Sequence, residues 1–515
     1  MLSKVYSATV QGLEAMVVTV EVDNYDGGQT PKFSIVGLPD SAVKESQERV
    51  QSALRVNGYK APFKSVVVNL APADVRKEGS GFDLPMAIGV MQSYEFIENR
   101  DTDRFMFVGE LGLDGSILPV KGILPISIKA RELGYEALFV PEDNAREAAV
   151  VNKLKVYGVN HINKVVGFLN GLEQLEPTVV NTREEFYSQM YSFPYDFDEV
   201  RGQENVKRAF EVAAAGGHNI ILVGSPGCGK SMMAKRIPSI LPPLSLSESL
   251  ETTQIHSIAG KLRKDSSLIS QRPFRAPHHT VSDVALVGGG NTFMPGEICL
   301  AHNGVLFLDE LPEFSRNVLE TLRQPLEDRI ITISRARYNF TLPCSFMLVA
   351  SMNPCPCGYH HHPTRQCMCT PGQIQRYMNK ISGPLMDRID IQVEAQSVPF
   401  EEMAKAPKGE SSAVIRERVL KARQIQIERY KDVKGVHCNA QMTTSLLQQY
   451  VQLDEKATAI LQQAMKKFNL SARAYDRILK VSRTIADLDG SADVTFAHIA
   501  EAVGYRNLDR DNWIE

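Results

Sequence analysis

A chain of 515 residues, 43% hydrophobic and 23% charged, has a globular composition and length for about three domains. Its formal net charge of −3 excludes a global basic field, so any nucleic-acid site has to be local. No apolar run reaches bilayer length, the first ten residues lack a signal-peptide core, and half of the eight cysteines are scattered (Cys228, Cys299, Cys344, Cys438). A cytoplasmic protein without a disulfide framework or membrane contact is expected.

Residues 1–170 alternate strand and helix patterns. Ala15–Val22, Phe33–Val36 and Ser65–Leu70 are β-rich, and Asp40 can cap a helix to about Leu54 that carries Val43, Val50 and Leu54 at helical spacing. Phe107–Val120 is a hairpin pattern turning at Asp114-Gly115. A helix (Ile126–Leu133), a strand (Ala137–Val140) and a helix (Asn144–Val151) follow, which makes this a separate α+β domain.

The stretch Gly109-Glu-Leu-Gly-Leu-Asp-Gly-Ser-Ile-Leu-Pro-Val-Lys-Gly122, with Ala130–Tyr135 and Val140–Asn144, resembles the proteolytic domain of Lon proteases. That resemblance implies a serine nucleophile and a lysine base, but Gly81 stands at the serine position and Leu124 at the lysine position. Ser80 and Lys121 are each displaced, and a nucleophile without its positioned base is not activated. A proteolytically inactive Lon-like domain is expected, with a shifted Ser80–Lys121 dyad as the alternative.

Residues 171–197 lose periodicity and read as a linker; the nucleotide domain spans 198–395. Its centre is Gly224-Ser225-Pro226-Gly227-Cys228-Gly229-Lys230-Ser231, between the apolar run Asn219–Val223 and a helical pattern. Strand, glycine loop and helix are the context that a phosphate-binding loop requires. The glycines turn backbone N–H groups inward, Lys230 reaches the β- and γ-phosphates, and Ser231 can ligate Mg²⁺. Further on, Gly304-Val-Leu-Phe-Leu-Asp309-Glu310 reads as a buried strand delivering two acids to its C-terminal edge. Asp309 suits Mg²⁺, and Glu310 suits polarising the attacking water. A third strand, Phe346–Ala350, ends in Ser351-Met-Asn353, where an amide can position that water from the other side; alone, Asn353-Pro354 would read as a turn.

Arg388 lies in the apolar segment Ile381–Asp390, and Arg473 opens a helix that Ser471 can cap. Together these motifs resemble the AAA+ branch of magnesium-chelatase subunit I and the MCM helicases. With the Lon-like domain added, the resemblance narrows to the YifB/ComM family of magnesium-chelatase-like proteins and covers nearly the whole chain. It implies an α/β P-loop AAA+ module with a helical lid behind a Lon-like α+β domain. It also implies Asn353 as sensor 1, Arg388 as an arginine finger acting on a neighbouring subunit, and Arg473 as sensor 2, with Arg477 one turn on as competitor. A salt bridge from Arg388 to Asp387 or Asp390 is the plainer reading. Residues 396–412 form a second linker, and 413–515 are mostly helical: Val414–Tyr430, Thr444–Tyr450, Glu455–Phe468, Ala472–Leu488 and Phe496–Val503.

Two pieces lie outside the ATPase motifs. Glycine-rich Val287–Gly296 reads as an insert loop. Arg329–Leu342 alternates on both sides of a tip carrying Arg335 and Arg337, with Tyr338 and Phe340 beside it. These arginines suit phosphate contacts and the aromatics suit base stacking, although a solvated hairpin tip has the same pattern. Cys355, Cys357, Cys367 and Cys369 could close a Zn²⁺ site; the C-x-C spacing leaves an Fe–S cluster or free thiols open. The family resemblance implies a homo-oligomeric ring, a hexamer, that couples ATP hydrolysis to movement on single-stranded or branched DNA. Branch migration in recombination or natural transformation is the expected process. The rival is a chelatase-type or protein-remodelling motor acting on a protein client.

Overall fold

The computed structural model describes residues 2–26, 31–59, 64–98, 101–263, 267–290, 293–335, 338–360, 362–396, 408–468 and 470–506; of the side chains of 335 and 338 nothing is stated. The chain forms two compact units. The first comprises Met1–Gln189, Leu246–Ser270 and Gly290–Pro295, the second Met190–Ser245, Gln271–Gly289 and Gly296–Glu515.

The first unit is built on β1 (Leu2–Gln11), β2 (Glu14–Tyr25), β3 (Phe33–Val36), β4 (Ser65–Ala71), β5 (Phe105–Phe107), the small hairpin β6 (Glu110–Leu111) and β7 (Ile117–Leu118), β8 (Ala137–Pro141) and β9 (Lys155–Val159). Seven of them form one mixed sheet in the order β3-β4-β2-β1-β5-β8-β9. Alternation in β2 puts Val18, Val20 and Val22 into the core, and the register Val5↔Val20 aligns them with β1. The helix Ser41–Val56 starts where Asp40 was expected to cap it, with the Val43 N–H donating to Asp40 Oδ1 at 2.8 Å. The turn at Asp114-Gly115 is also as expected: Ser116 N–H donates to Asp114 Oδ1 at 3.0 Å. By contrast, β1 and the helix Asp83–Ser93 had no signal read from them. Every residue of that helix is buried, including Asp83, Gln92 and Ser93, so its apolar residues are not confined to one face and show no helical period.

The domain boundaries differ from those expected in two places. Residues 171–197 contain a helix, Thr182–Gln189, whose Phe186 is buried. Residues 246–270, expected inside the ATPase core, pack instead in the first unit. There the helix Leu246–Ile258 lies by the helix Ile123–Glu132, and Leu250 and Leu268 join Leu124, Val150 and Val151 in an apolar cluster. Ser257 fixes the contact. Its carbonyl accepts from Gly122 N–H at 3.1 Å, and its hydroxyl donates to buried Glu147.

The second unit contains β10 (Ile220–Val223), β11 (Phe274–Arg275), β12 (Val305–Leu308), the hairpin β13 (Ile330–Arg335) and β14 (Tyr338–Pro343), β15 (Met347–Met352) and β16 (Ile391–Glu394). Five are parallel in the order β11-β12-β15-β10-β16. All four side chains of β10 and of β12 and all six of β15 are buried, as a parallel sheet covered on both faces demands. Helices Ser412–Tyr430, Thr444–Tyr450, Glu455–Lys467, Ala472–Leu488 and Phe496–Gly504 match the expected C-terminal set within two residues. Their apolar faces share one core with β10 and β16 through Ile415, Val419, Ile478 and Ile485. Residues 397–407 of the expected second linker lie outside the described residues.

Candidate nucleotide site

The sheet order puts three chemical groups at one edge. Strand β10 carries the glycine loop, its neighbour β15 ends next to Asn353, and β12 beyond that delivers Asp309 and Glu310. The strand order reverses around β10, and that is where open α/β sheets bind ligands. Gly227 and Gly229 stand at φ of +82° and +89°, the left-handed region in which a Cβ is penalised. The loop is held from behind by Gly224 N–H donating to Met352 O at 3.2 Å.

Lys230 is nearly buried, and its Nζ donates to Gly224 O at 2.6 Å, Ser225 O at 3.0 Å and Asn353 Oδ1 at 3.2 Å. Loop, lysine and amide therefore meet at one point. Ser231 Oγ donates to Asp309 Oδ2 at 2.6 Å, so the hydroxyl and carboxylate expected to share Mg²⁺ already face each other. Glu310 follows with φ +54°, an unusual conformation for a side-chain-bearing residue that aims it out of the strand end. Two groups here were not anticipated. Ser351 donates its hydroxyl to Asp309 Oδ1, and His279 Nδ1 lies 3.5 Å from Glu310 Oε2. Ser351 was legible as the last polar residue before Asn353. His279 becomes legible only once β11 is known to lie beside β12.

The arginines divide. Arg388 is buried, ion-paired with Glu327 and donating to Pro384 O at 2.6 Å, so neither Asp387 nor Asp390 is its partner. Arg473 is exposed at 63% with one long ion pair to Asp387 at 3.8 Å. Arg477 is committed to buried Asp390 at 2.9 Å. Of the two lid candidates, Arg473 is thus the one available to a phosphate. Asp390 also accepts from Asn219 N–H at 3.1 Å and pairs with His218, whose Nε2 lies 2.8 Å from Thr484 Oγ1. Burial pushes the Asp390 carboxyl up, but the Arg477 charge and the His218 bond outweigh it and hold it below the usual carboxylate range. Burial pushes His218 down despite Asp390.

The four cysteines come together: Cys355 Sγ lies 3.3 Å from Cys357 Sγ and 3.7 Å from Cys367 Sγ, and Cys357 lies 3.6 Å from Cys367. All four sulfurs fall within 4.8 Å of one another. Thiolates about 2.3 Å from one central Zn²⁺ stand about 3.8 Å apart by tetrahedral geometry. The donor set fits a single ion and is too tight for a cluster that interposes several irons and sulfides. The hairpin β13–β14 is present with Arg335↔Tyr338 as its last pair; Arg337 lies outside the described residues.

In the first unit, Ser80 donates to the Glu110 carboxylate, Lys121 is exposed, and Leu124 is fully buried. The hydroxyl thus faces an acid, and among the described residues no amine bonds to it.

Fold and site together define a P-loop module of the AAA+ class, for which ATP and Mg²⁺ are the implied ligands. Family profiles described as magnesium chelatase, subunit ChlI, match residues 196–403; subunit ChlI of Mg-chelatase matches 20–144, and its C-terminal part matches 409–506. Competence protein ComM of Haemophilus influenzae is 43% identical over 510 residues, 99% of this chain and 98% of the relative. Proteins named YifB from Escherichia coli and Salmonella typhimurium are 41% and 40% identical over 515 and 512 residues, with the same coverage. The chain belongs to the YifB/ComM family of magnesium-chelatase-like AAA+ proteins. No helix among the described residues is long and apolar enough to cross a membrane.

Proposed function

We propose that the chain is a ring-forming ATPase, a homo-hexamer, that couples ATP hydrolysis to movement on single-stranded or branched DNA, as a branch-migration helicase. The convergence of Lys230, Ser231, Asp309 and Asn353 at one sheet edge is the observation that carries the ATPase part. Lys230 can exchange its loop carbonyls for phosphate oxygens, and Ser231 and Asp309 are the residues that would hold Mg²⁺, whose chemistry would be charge neutralisation at the phosphates. Glu310 orients and polarises the attacking water, and Asn353 fixes it from the next strand. Arg473 reaches the γ-phosphate from the lid, and Arg388 serves a neighbouring subunit after exchanging Glu327 for its phosphate. Arg335 and Arg337 grip the DNA backbone. The Cys355, Cys357, Cys367 and Cys369 thiolates hold one Zn²⁺.

Near full-length relation to a competence protein, and a two-stranded hairpin whose connecting sequence carries Arg335 and Arg337, favour DNA over a protein client. ATP turnover measured with and without single-stranded and four-way-branched DNA tests this. DNA should raise turnover severalfold, and a four-way junction should be resolved only with hydrolysable nucleotide. Turnover unmoved by either DNA would support the protein-remodelling motor instead.

A further inference from the structure

The cysteine loop is joined to the catalytic edge at three points. Cys355 is buried and only two residues beyond Asn353, so the chain between them spans at most about 7 Å at the extended rise. The turn closed by Gly358 N–H donating to Cys355 O at 3.0 Å lies on the phosphate loop: a Cβ added at Gly358 would sit 2.5 Å from Pro226 Cδ. Past Cys369, Thr370 caps the helix Pro371–Met378, whose buried Tyr377 phenol faces the Asn353 backbone. Yet between Cys355 and Cys369 no described residue is in a helix or strand. Among its described residues are turn hydrogen bonds, several of them to the His362 ring, a Tyr359–His362 ring contact, and Arg365 on Tyr359 through a 2.6 Å bond and a ring contact. Thiols alone are weak hydrogen-bonding partners, so they do not fix such a segment.

We infer that a metal ion held by Cys355, Cys357, Cys367 and Cys369 is a clamp that sets Asn353 and the phosphate loop in their hydrolytic positions, so that metal occupancy governs ATP turnover. This rests on the zinc reading above and on no DNA contact. One ion ties the segment from Cys355 to Cys369, whose described residues are in no helix or strand, into a rigid knot. The knot braces the loop from the Pro226 side and the amide from its chain neighbour. Because Lys230 Nζ and Asn353 Oδ1 are 3.2 Å apart, a shift of the cysteine turn moves one partner of that contact against the other. The ion takes no part in hydrolysis. Cys357, Cys367 and Cys369 are partly exposed and Met368 is 89% exposed, so a chelator or thiol reagent has access.

The experiment uses the full chain without DNA. Zinc is measured by mass spectrometry in the purified protein, then released with a mercurial under chelator, and restored with Zn²⁺ or Co²⁺ after the mercurial is removed with dithiothreitol. One zinc per chain is expected, and Co²⁺ should give the visible spectrum of tetrahedral thiolate ligation. Stripped protein should lose about 10-fold to 100-fold in turnover, the range for removing groups that orient a site, and recover on reloading. Binding of a fluorescent ATP analogue should change far less. Absence of bound metal, with no cobalt spectrum, overturns the zinc reading and the clamp together. Bound metal whose removal leaves turnover at the starting level overturns the clamp alone. Should stripping unfold the chain, Gly358→Ala decides: it replaces no thiolate and keeps the N–H that bonds to Cys355 O, so zinc should stay at one per chain while turnover falls. Wild-type turnover in that variant, zinc retained, overturns the clamp.

Discussion

The Lys230 ammonium rests on two neutral carbonyls and an amide, partners weaker than phosphate oxygens, so the residue is poised to exchange them. Lys230→Ala is therefore expected to abolish binding of a fluorescent ATP analogue. Glu310→Gln should leave that binding intact and stop phosphate release. Near-wild-type turnover by both variants would overturn the ATPase assignment. Ser351 acts through Asp309: its hydroxyl holds one carboxylate oxygen and leaves the other to Ser231. Ser351→Ala should raise the Mg²⁺ concentration for half-maximal turnover by about tenfold, as lost orienting groups do. Magnesium titrations of turnover check this, with little change expected at saturating metal.

Among the elements, the helix Ala472–Leu488 is tied to the sheet by a buried polar set, His218 with Thr484 and Asp390, and Arg477 with Asp390. The fold keeps His218 uncharged, whereas the unfolded chain accepts a proton near pH 6.5, so its contribution is complete above about pH 6.5 and shrinks as pH falls. The Asp390 carboxylate, held low, contributes fully above about pH 4 and loses its share below. The melting temperature should thus fall between pH 6.5 and 5, and His218→Asn should flatten that part of the profile. A second element is the β13–β14 hairpin. Arg335→Ala with Arg337→Ala removes two charges from its end, and log affinity for single-stranded DNA should lose a salt slope of about 0.7 per contact. An unchanged slope and unchanged stimulation by DNA would sink the DNA reading.

At the scale of the whole molecule, the proposed ring requires Arg388 to act outside its own chain. In the single chain it is buried against Glu327 and Pro384. Two outcomes separate these roles. If Arg388 works in trans, Arg388→Ala subunits bind nucleotide normally, and mixing them with Lys230→Ala subunits restores part of the lost turnover. If it is a strut, Arg388→Ala lowers the melting temperature by the several degrees that follow loss of a buried ion pair, and no mixture recovers. We propose that the first unit serves assembly: its Ser80 bonds to Glu110, its Leu124 is buried, and it takes Leu246–Ile258 from the middle of the ATPase sequence.

The sequence by itself determined what depends on neighbours in the chain. The glycine loop, the Asp309-Glu310 strand end, the Asp40 and Ser471 caps and the helices after 412 all follow from local spacing, because backbone geometry and period operate over a few residues. Tertiary structure alone decided what depends on strand order and burial. It placed His279 against Glu310, gave Arg477 to Asp390 and Arg388 to Glu327, and drew residues 246–270 into the first unit. It also gathered four cysteines fourteen positions apart at their ends into one tetrahedron-sized group on the shoulder of Asn353. These pairings join residues from fourteen to more than a hundred positions apart, and no local pattern encodes them: they exist only when the hydrophobic core closes and leaves the buried charges their partners.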